Sequence, residues 1–171
     1  MNELTLDILP ESPSDAPAIE KLHERAFGPG RFAKTAYRLR EGVAAVPELS
    51  FIARVGTLLV GSVRLSPVRI ADVPALLLGP LAVEPAFSGR RIGLDLIRRA
   101  LDAATRRGDR LVFLVGDEPY YARAGFQAVP PGRVRLPGPV DPRRLLVREL
   151  VPGAFEGVDG ELDQDRAAAV C

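Results

Sequence analysis

The stretch from Leu76 to Leu101, LLLGPLAVEPAFSGRRIGLDLIRRAL, constrains the fold of this chain more than any other. From Leu76 to Val83 nearly every residue is apolar, the pattern of a strand buried on both faces in the middle of a sheet. Pro80 interrupts that strand. Proline has no N–H to give to a ladder, so inside a central strand it requires a place where pairing is already broken, either a bulge or a point where two strands splay apart. Such a break is expected to leave backbone groups of Leu81, Ala82 and Val83 without strand partners, and an extended ligand carrying amides would complete the ladder.

The following loop, Ser88-Gly89-Arg90-Arg91-Ile92-Gly93, delivers the chain into an amphipathic helix. The N–H groups of a first helical turn have no intrahelical acceptor, and the macrodipole makes that end positive. Arg90 and Arg91 oppose the dipole by roughly 0.3–1 kcal/mol each unless an anion rests on the loop. A phosphate held by backbone N–H groups, with glycines admitting its close approach, removes the conflict. An ordinary strand-to-helix connection with solvated arginines is the other reading.

Around this stretch the chain reads as one α/β domain. Leu4 to Leu9 alternates as a first strand, and Ser12-Pro13-Ser14-Asp15 supplies turn and N-cap chemistry for a helix over 16–27. Ile19, Leu22 and Ala26 share its core side, and His23 reads as a border residue beside that stripe, with catalysis the lesser use. Gly28-Pro29-Gly30 breaks the chain before a second helix over 32–40, with Phe32, Ala36 and Leu39 on one side. Gly56-Thr57 forms a tight hairpin between strands at 51–55 and 58–65. The motif helix, from about Arg90 to Arg107, turns Gly93, Ile97, Ala100 and Ala104 to the sheet and ends at Gly108. Its Asp95–Arg99 and Asp102–Arg106 spacings predict i,i+4 ion pairs. Leu111 to Val115 is expected parallel to the central strand, after a right-handed crossover. Asp117 caps a short helix that Gly125 ends, 130–142 is a loop, and 145–151 returns as a last strand. Residues 152–171, acidic and rich in small side chains, are expected as a poorly ordered tail beyond a domain at 1–151.

Composition narrows the function. With 171 residues and 47% hydrophobic content the chain suits a single cored domain. Lys+Arg 23 against Asp+Glu 22 leaves a charge of +1, which argues against a nucleic-acid binder, since those carry a marked basic excess. MNELTLDILP lacks a basic n-region, so no signal peptide is expected, and no apolar run approaches the ~18–20 residues of a membrane span. The one cysteine, Cys171, offers no internal disulfide, and His23 as the one histidine presents no zinc set. A cytoplasmic protein without a metal site is the expectation.

LAVEPAFSGRRIGLDLIRRAL resembles the acetyl-CoA-binding core of the GCN5-related N-acetyltransferases (GNAT), in which a bulged strand leads through a Gln/Arg-x-x-Gly-x-Gly/Ala loop into a helix. Tyr120-Tyr121-Ala122-Arg123-Ala124-Gly125-Phe126 resembles the same family's Tyr-x-Arg/Lys-x-Gly-Phe segment. Ser88 stands where Gln or Arg is usual, and Arg91 where the first motif glycine is usual; Gly89 and Gly93 remain. The resemblance, over roughly 4–150, implies an α/β (α+β) acyl-CoA N-acyltransferase fold: a mixed, mostly antiparallel sheet with a splayed central strand and helices on both faces. It implies acetyl-CoA as cosubstrate, an amine acceptor and no metal. Cofactor binding falls to Leu81, Ala82, Val83, Ser88, Gly89, Arg90, Arg91, Ile92, Gly93, Leu94, Asp117 and Tyr120, with the pyrophosphate over 89–94.

In direct attack by the amine, Glu84 at the end of the central strand takes its proton, itself or through water, and Tyr121 protonates the departing thiolate. A backbone N–H near Ala82 or Val83 meets the oxyanion. In this family the segment joining the first two helices borders the acceptor, so Tyr37, Arg38 and Arg40 could contact an acidic acceptor, although a solvated helix face is the plainer use. The acceptor is not legible, and a homodimer is compatible with the sequence. Neither nucleic acid nor a membrane is expected as a partner. An acyl-CoA sensor of the same fold without transfer activity is the rival reading. A nucleotide-phosphate enzyme would need the Gly-Lys-Ser/Thr ending or the G-x-G-x-x-G spacing that this loop lacks.

Overall fold

The computed structural model describes residues 5–168, and the side chains of Phe32 and Ala33 lie outside that description, as do Leu4 and Cys171. In chain order the elements are β1 (Leu6–Pro10), α1 (Ala16–Phe27), α2 (Thr35–Arg40), β2 (Phe51–Val55), β3 (Leu58–Ile70), β4 (Val73–Val83), α3 (Ile92–Arg107), β5 (Leu111–Val115), α4 (Glu118–Tyr121), β6 (Gln127–Ala128), β7 (Val134–Arg135), β8 (Leu145–Glu149) and β9 (Gly160–Gln164). The main sheet runs β1-β2-β3-β4-β5-β8-β6, with β9 also on β3 and β7 beside β9. β4 and β5 are parallel, as a strand pair joined through a helix must be, and β7 with β9 is also parallel; the other ladders are antiparallel.

Alternation along the strands gives the sheet two apolar faces. Leu76 and Leu78 pack with Val63, Leu65, Val112 and Leu114 under Ile92, Leu96, Ile97, Ala100 and Ala104 of α3. On the other face Leu77, Val68, Ile70 and Phe113 meet Leu39, Phe155, Val158 and Leu162, while Ile19 and Leu22 of α1 cover Ile52, Leu59 and Ala82. Gly61 lets α3 lie close: a Cβ there would press on Leu96, Ala53 and Ile92. Gly108, at φ 95°, ends α3 as expected, and the Asp109 N–H returns to the Ala104 carbonyl at 3.0 Å.

Several expectations change. The second helix is split: residues Pro29–Ala33 form a 3-10 turn and α2 begins only at Thr35, because Lys34 is extended, at ψ 140°. The first strand begins at Leu6 and the last expected one stops at Glu149. On α1 the buried side comprises Ile19, Leu22 and His23, and Ala26 is exposed. Neither expected ion pair on α3 closes; the Arg99 guanidinium lies 5.4 Å from the Phe51 ring centroid instead. Beyond residue 152 the chain supplies β9, and Phe155, Val158 and Leu162 are buried, so residues 155–164 pack into the fold rather than forming a loose tail. Its small acidic composition hid three apolar side chains spaced to fill one face.

Candidate active site

Pro80 breaks β4 by a bulge. Val63 of β3 faces Leu81 and Leu65 faces Leu78, so Gly79 and Pro80 together oppose the single residue Arg64. The Gly79–Pro80 peptide is cis. A bulge bends its strand, and β4 registers with β5 only at Leu76–Val112 and Leu77–Phe113 before the two part. Beyond the bulge Leu81, Ala82 and Val83 pair on one edge with Val63, Ser62 and Gly61. Their other edge has no strand beside it among the described residues, so the expected loss of partners applies to one edge rather than both.

The gap between the parted strands is a cavity of about 510 Å³. One wall is Leu78 to Leu81, the other Val115 to Asp117 with Tyr120 and Tyr121; α1, α2 and residues 139–144 cover it. Tyr121 lines the cavity with its ring against Gly116, where a Cβ could not fit, and edge-on to Phe126 at 6.1 Å. Burial, reinforced by Tyr120 and Asp117 and opposed by Arg144 and Arg40, pushes its phenol up to about 12. It is therefore protonated at neutral pH. Burial also raises the phenol of Tyr120, whose hydroxyl rests where a side chain on Gly93 would be. Tyr120 thus spans from the cavity to the start of α3.

That helix start is bare. Asp95 is the first residue whose N–H finds a helical carbonyl, that of Arg91 at 3.0 Å, leaving the N–H groups of Ile92, Gly93 and Leu94 without a backbone acceptor. Ser88, Gly89, Arg90 and Arg91 are exposed, and open space surrounds Gly89. Arg90 is not without company, lying 5.1 Å from the Phe87 ring centroid. Arg91 is left-handed, at φ 63°.

One expected residue, Glu84, stands apart from the cavity; Arg25 Nη2 and Nε both donate to its Oε2, at 2.7 and 3.0 Å. Asp117 begins α4 with N-cap dihedrals, but its carboxylate makes no cap bond and lies 3.4 Å from Arg144 Nε. His23 and Arg40 do line it, where helical spacing favoured a border position for the one and a solvated helix face over an acceptor contact for the other. Burial and the charges of Arg64, Arg40 and Arg31 pull His23 down to about 4 despite Glu20, so its imidazole is neutral at pH 7. Among the described residues no helix is long and apolar enough to cross a membrane.

The model of the acetyltransferase (GNAT) family matches residues 16–126, from α1 through the splayed strands to the end of the Tyr120–Phe126 segment. The chain belongs to the GNAT family. Its relatives in Escherichia coli (strain K12) include the uncharacterized N-acetyltransferase YhbS, 30% identical over 158 residues that make up 88% of this chain and 90% of YhbS. Another, the uncharacterized N-acetyltransferase YjhQ, is 35% identical over 118 residues, 67% of this chain and 65% of YjhQ, so just under two thirds of that relative is spanned. The crystal structure of E. coli YhbS in complex with CoA superposes with a TM-score of 0.82 at 28% identity, over 96% of this chain and 92% of that one. A GNAT acetyltransferase from Brucella melitensis in complex with acetyl-CoA gives 0.63 at 28% identity, over 90% and 100%. The GNAT fold is thus the mixed sheet with helices on both faces described above, and in the GNAT motif loop the left-handed position expected of glycine is held here by Arg91.

Proposed function

We propose that this protein transfers an acetyl group from acetyl-CoA to the amine of a small acceptor by direct attack while both substrates are bound. The observation that carries the reading is the gap beyond the β4 bulge, which sets the free edge at Leu81 opposite a partly buried, protonated tyrosine, with Tyr120 reaching from it to the bare N-terminus of α3. These features fit the cosubstrate. The free edge of Leu81, Ala82 and Val83 suits the amides of an extended pantetheine arm. The N–H groups of Ile92 to Leu94, approachable past Gly89, suit a pyrophosphate, and Ser88, Arg90 and Arg91 flank it. Asp117 and Tyr120 stand on the opposite wall. Bound acetyl-CoA supplies an activated acyl group and a thiolate leaving group.

Tyr121 Oη holds the proton that such a leaving group needs, and its raised pKa keeps that proton in place until the reaction calls for it. The acceptor must shed a proton before it attacks, because an alkylammonium with a pKa near ~10 has no free lone pair. Glu84 is the carboxylate nearest the carboxyl end of β4, and with Arg25 holding Oε2 its Oε1 remains to accept through water.

The test is free-thiol release from acetyl-CoA with a panel of small primary amines, alongside thermal shift with CoA alone. Transfer requires amine-dependent release above the rate without amine. CoA stabilisation with no release for any amine would favour the acyl-CoA sensor instead.

A further inference from the structure

Arg40 closes the acceptor side of the cavity in an unusual state. Its Nε is buried and has no hydrogen-bond partner, and it makes no ion pair with any described residue. The guanidinium hangs over the β4 bulge: Nη1 occupies the space that a side chain on Gly79 would need. Burial pulls its pKa down to about 10, so it remains a cation at neutral pH. Removing a charge from water without pairing it costs several kcal/mol, and proteins keep such a group where an anion completes it.

The carboxylates of the cavity do not complete it. Glu20 is bonded to Arg31 at 2.6 Å, Asp117 faces Arg144, and Asp141 accepts from Arg143 at 3.1 and 3.2 Å. With those pairs closed, the α2 wall keeps the charge of Arg40, and Lys34 at the exposed rim adds to it. His23, on α1, contributes a second buried polar atom without a partner, its Nε2, to the same cavity. A carboxylate suits this pair: a planar guanidinium matches its two oxygens, and a neutral imidazole N–H can donate to one of them.

We infer that Arg40 anchors a carboxylate carried by the acceptor, so that the amines acetylated here are small amino acids. This rests on the transfer reading above and adds the acceptor class to it. A free amino acid fits beside a thioester in a cavity of about 510 Å³. A diamine or an aminoglycoside would set a further cation against Arg40 and Lys34.

The experiment compares α- and ω-amino acids with their own methyl esters and primary amides, each presented with acetyl-CoA to wild type, Arg40→Met and Arg40→Lys. Wild type should favour the free acid by on the order of 10²-fold in kcat/KM, mostly through KM. Arg40→Met, which fills the same space without charge, should lose the preference while keeping its affinity for acetyl-CoA; Arg40→Lys should retain part of it. Esters and amides used as well as acids by wild type would overturn the inference, and so would a preference that survives in Arg40→Met. A loss of kcat that is equal for all acceptors would assign Arg40 to the reacting acyl group and overturn it too. If no amine releases thiol, the transfer reading has failed, and thermal shift of the CoA-bound protein decides the anion site separately. Stabilisation by the amino acids in wild type and not in Arg40→Met upholds the site; its absence removes it.

Discussion

Tyr121 and Tyr120 are neighbours with different surroundings, and the proposed reaction gives them different work. Tyr121 is wedged between Gly116 and Phe126 with its phenol held at about 12, whereas Tyr120 reaches to the start of α3. Tyr121→Phe keeps the ring and removes the proton. It should lower kcat by ~10²–10⁴-fold and leave acetyl-CoA affinity within about twofold. Tyr120→Phe, which removes the hydroxyl beside Gly93, should instead weaken acetyl-CoA binding with kcat little changed. Steady-state kinetics and calorimetric titration of acetyl-CoA separate the two, and unchanged kcat in Tyr121→Phe would make that phenol structural. The resemblance to the Tyr-x-Arg/Lys-x-Gly-Phe segment singled out Tyr121, the tyrosine four residues before Gly125. Arg40 and His23 were not legible in the same way. Each sits on a short or amphipathic helix whose polar side ordinarily faces water, and here that side faces a cavity created by a bulge in a strand far along the chain.

At the scale of elements, the loop between β4 and α3 carries a cost that an anion bound there, as proposed, would offset. Arg91 adopts φ 63°, ψ 11°, a left-handed conformation costing a non-glycine residue ~1–2 kcal/mol. Glycine would relieve it, less the ~0.5–1 kcal/mol of extra chain entropy that glycine loses on folding. Arg91→Gly should therefore stabilise the unliganded protein by up to ~1 kcal/mol, raising Tm by ~2–4 °C. It should also weaken acetyl-CoA binding, since a cation beside the bare N–H groups is gone. Chemical denaturation with and without acetyl-CoA checks both; a variant less stable than wild type would mean that the arginine side chain holds the loop. Element boundaries were most legible where one residue type dictates the backbone. Gly108 ends α3, Pro80 marks the bulge, and α1 spans Ala16–Phe27 as its cap and break predict. β9 was not legible, because its pairing with β3 depends on an edge that β2 leaves open, a circumstance with no local signature.

For the whole molecule, the buried polar wall of the cavity ties stability to pH. His23 is 5% exposed and is held near 4 against an ordinary value of 6.5. The groups acting on it come from every side: Arg64 from β3, Arg40 from α2, Arg31 from the preceding turn, and Glu20, alone in the opposite sense, from α1 itself. Because the folded pKa is depressed, between pH 6.5 and about 4 the unfolded chain binds a proton that the folded chain does not. The stabilisation is thus complete above pH 6.5 and is lost as pH falls, at up to ~1.4 kcal/mol per pH unit for one proton, until the folded histidine also titrates. Absolute stability sums over every titrating group of the protein, so it is a poor readout for one of them. The difference between wild type and His23→Gln isolates the histidine. Urea midpoints measured from pH 7 to 4.5 should fall more steeply for wild type than for His23→Gln, with the two curves converging as pH drops. Parallel curves would mean that His23 is no more reluctant to ionise in the folded protein than in the unfolded chain. In that case the cavity is better hydrated than its walls indicate, and the case for Arg40 as a desolvated anion anchor weakens with it.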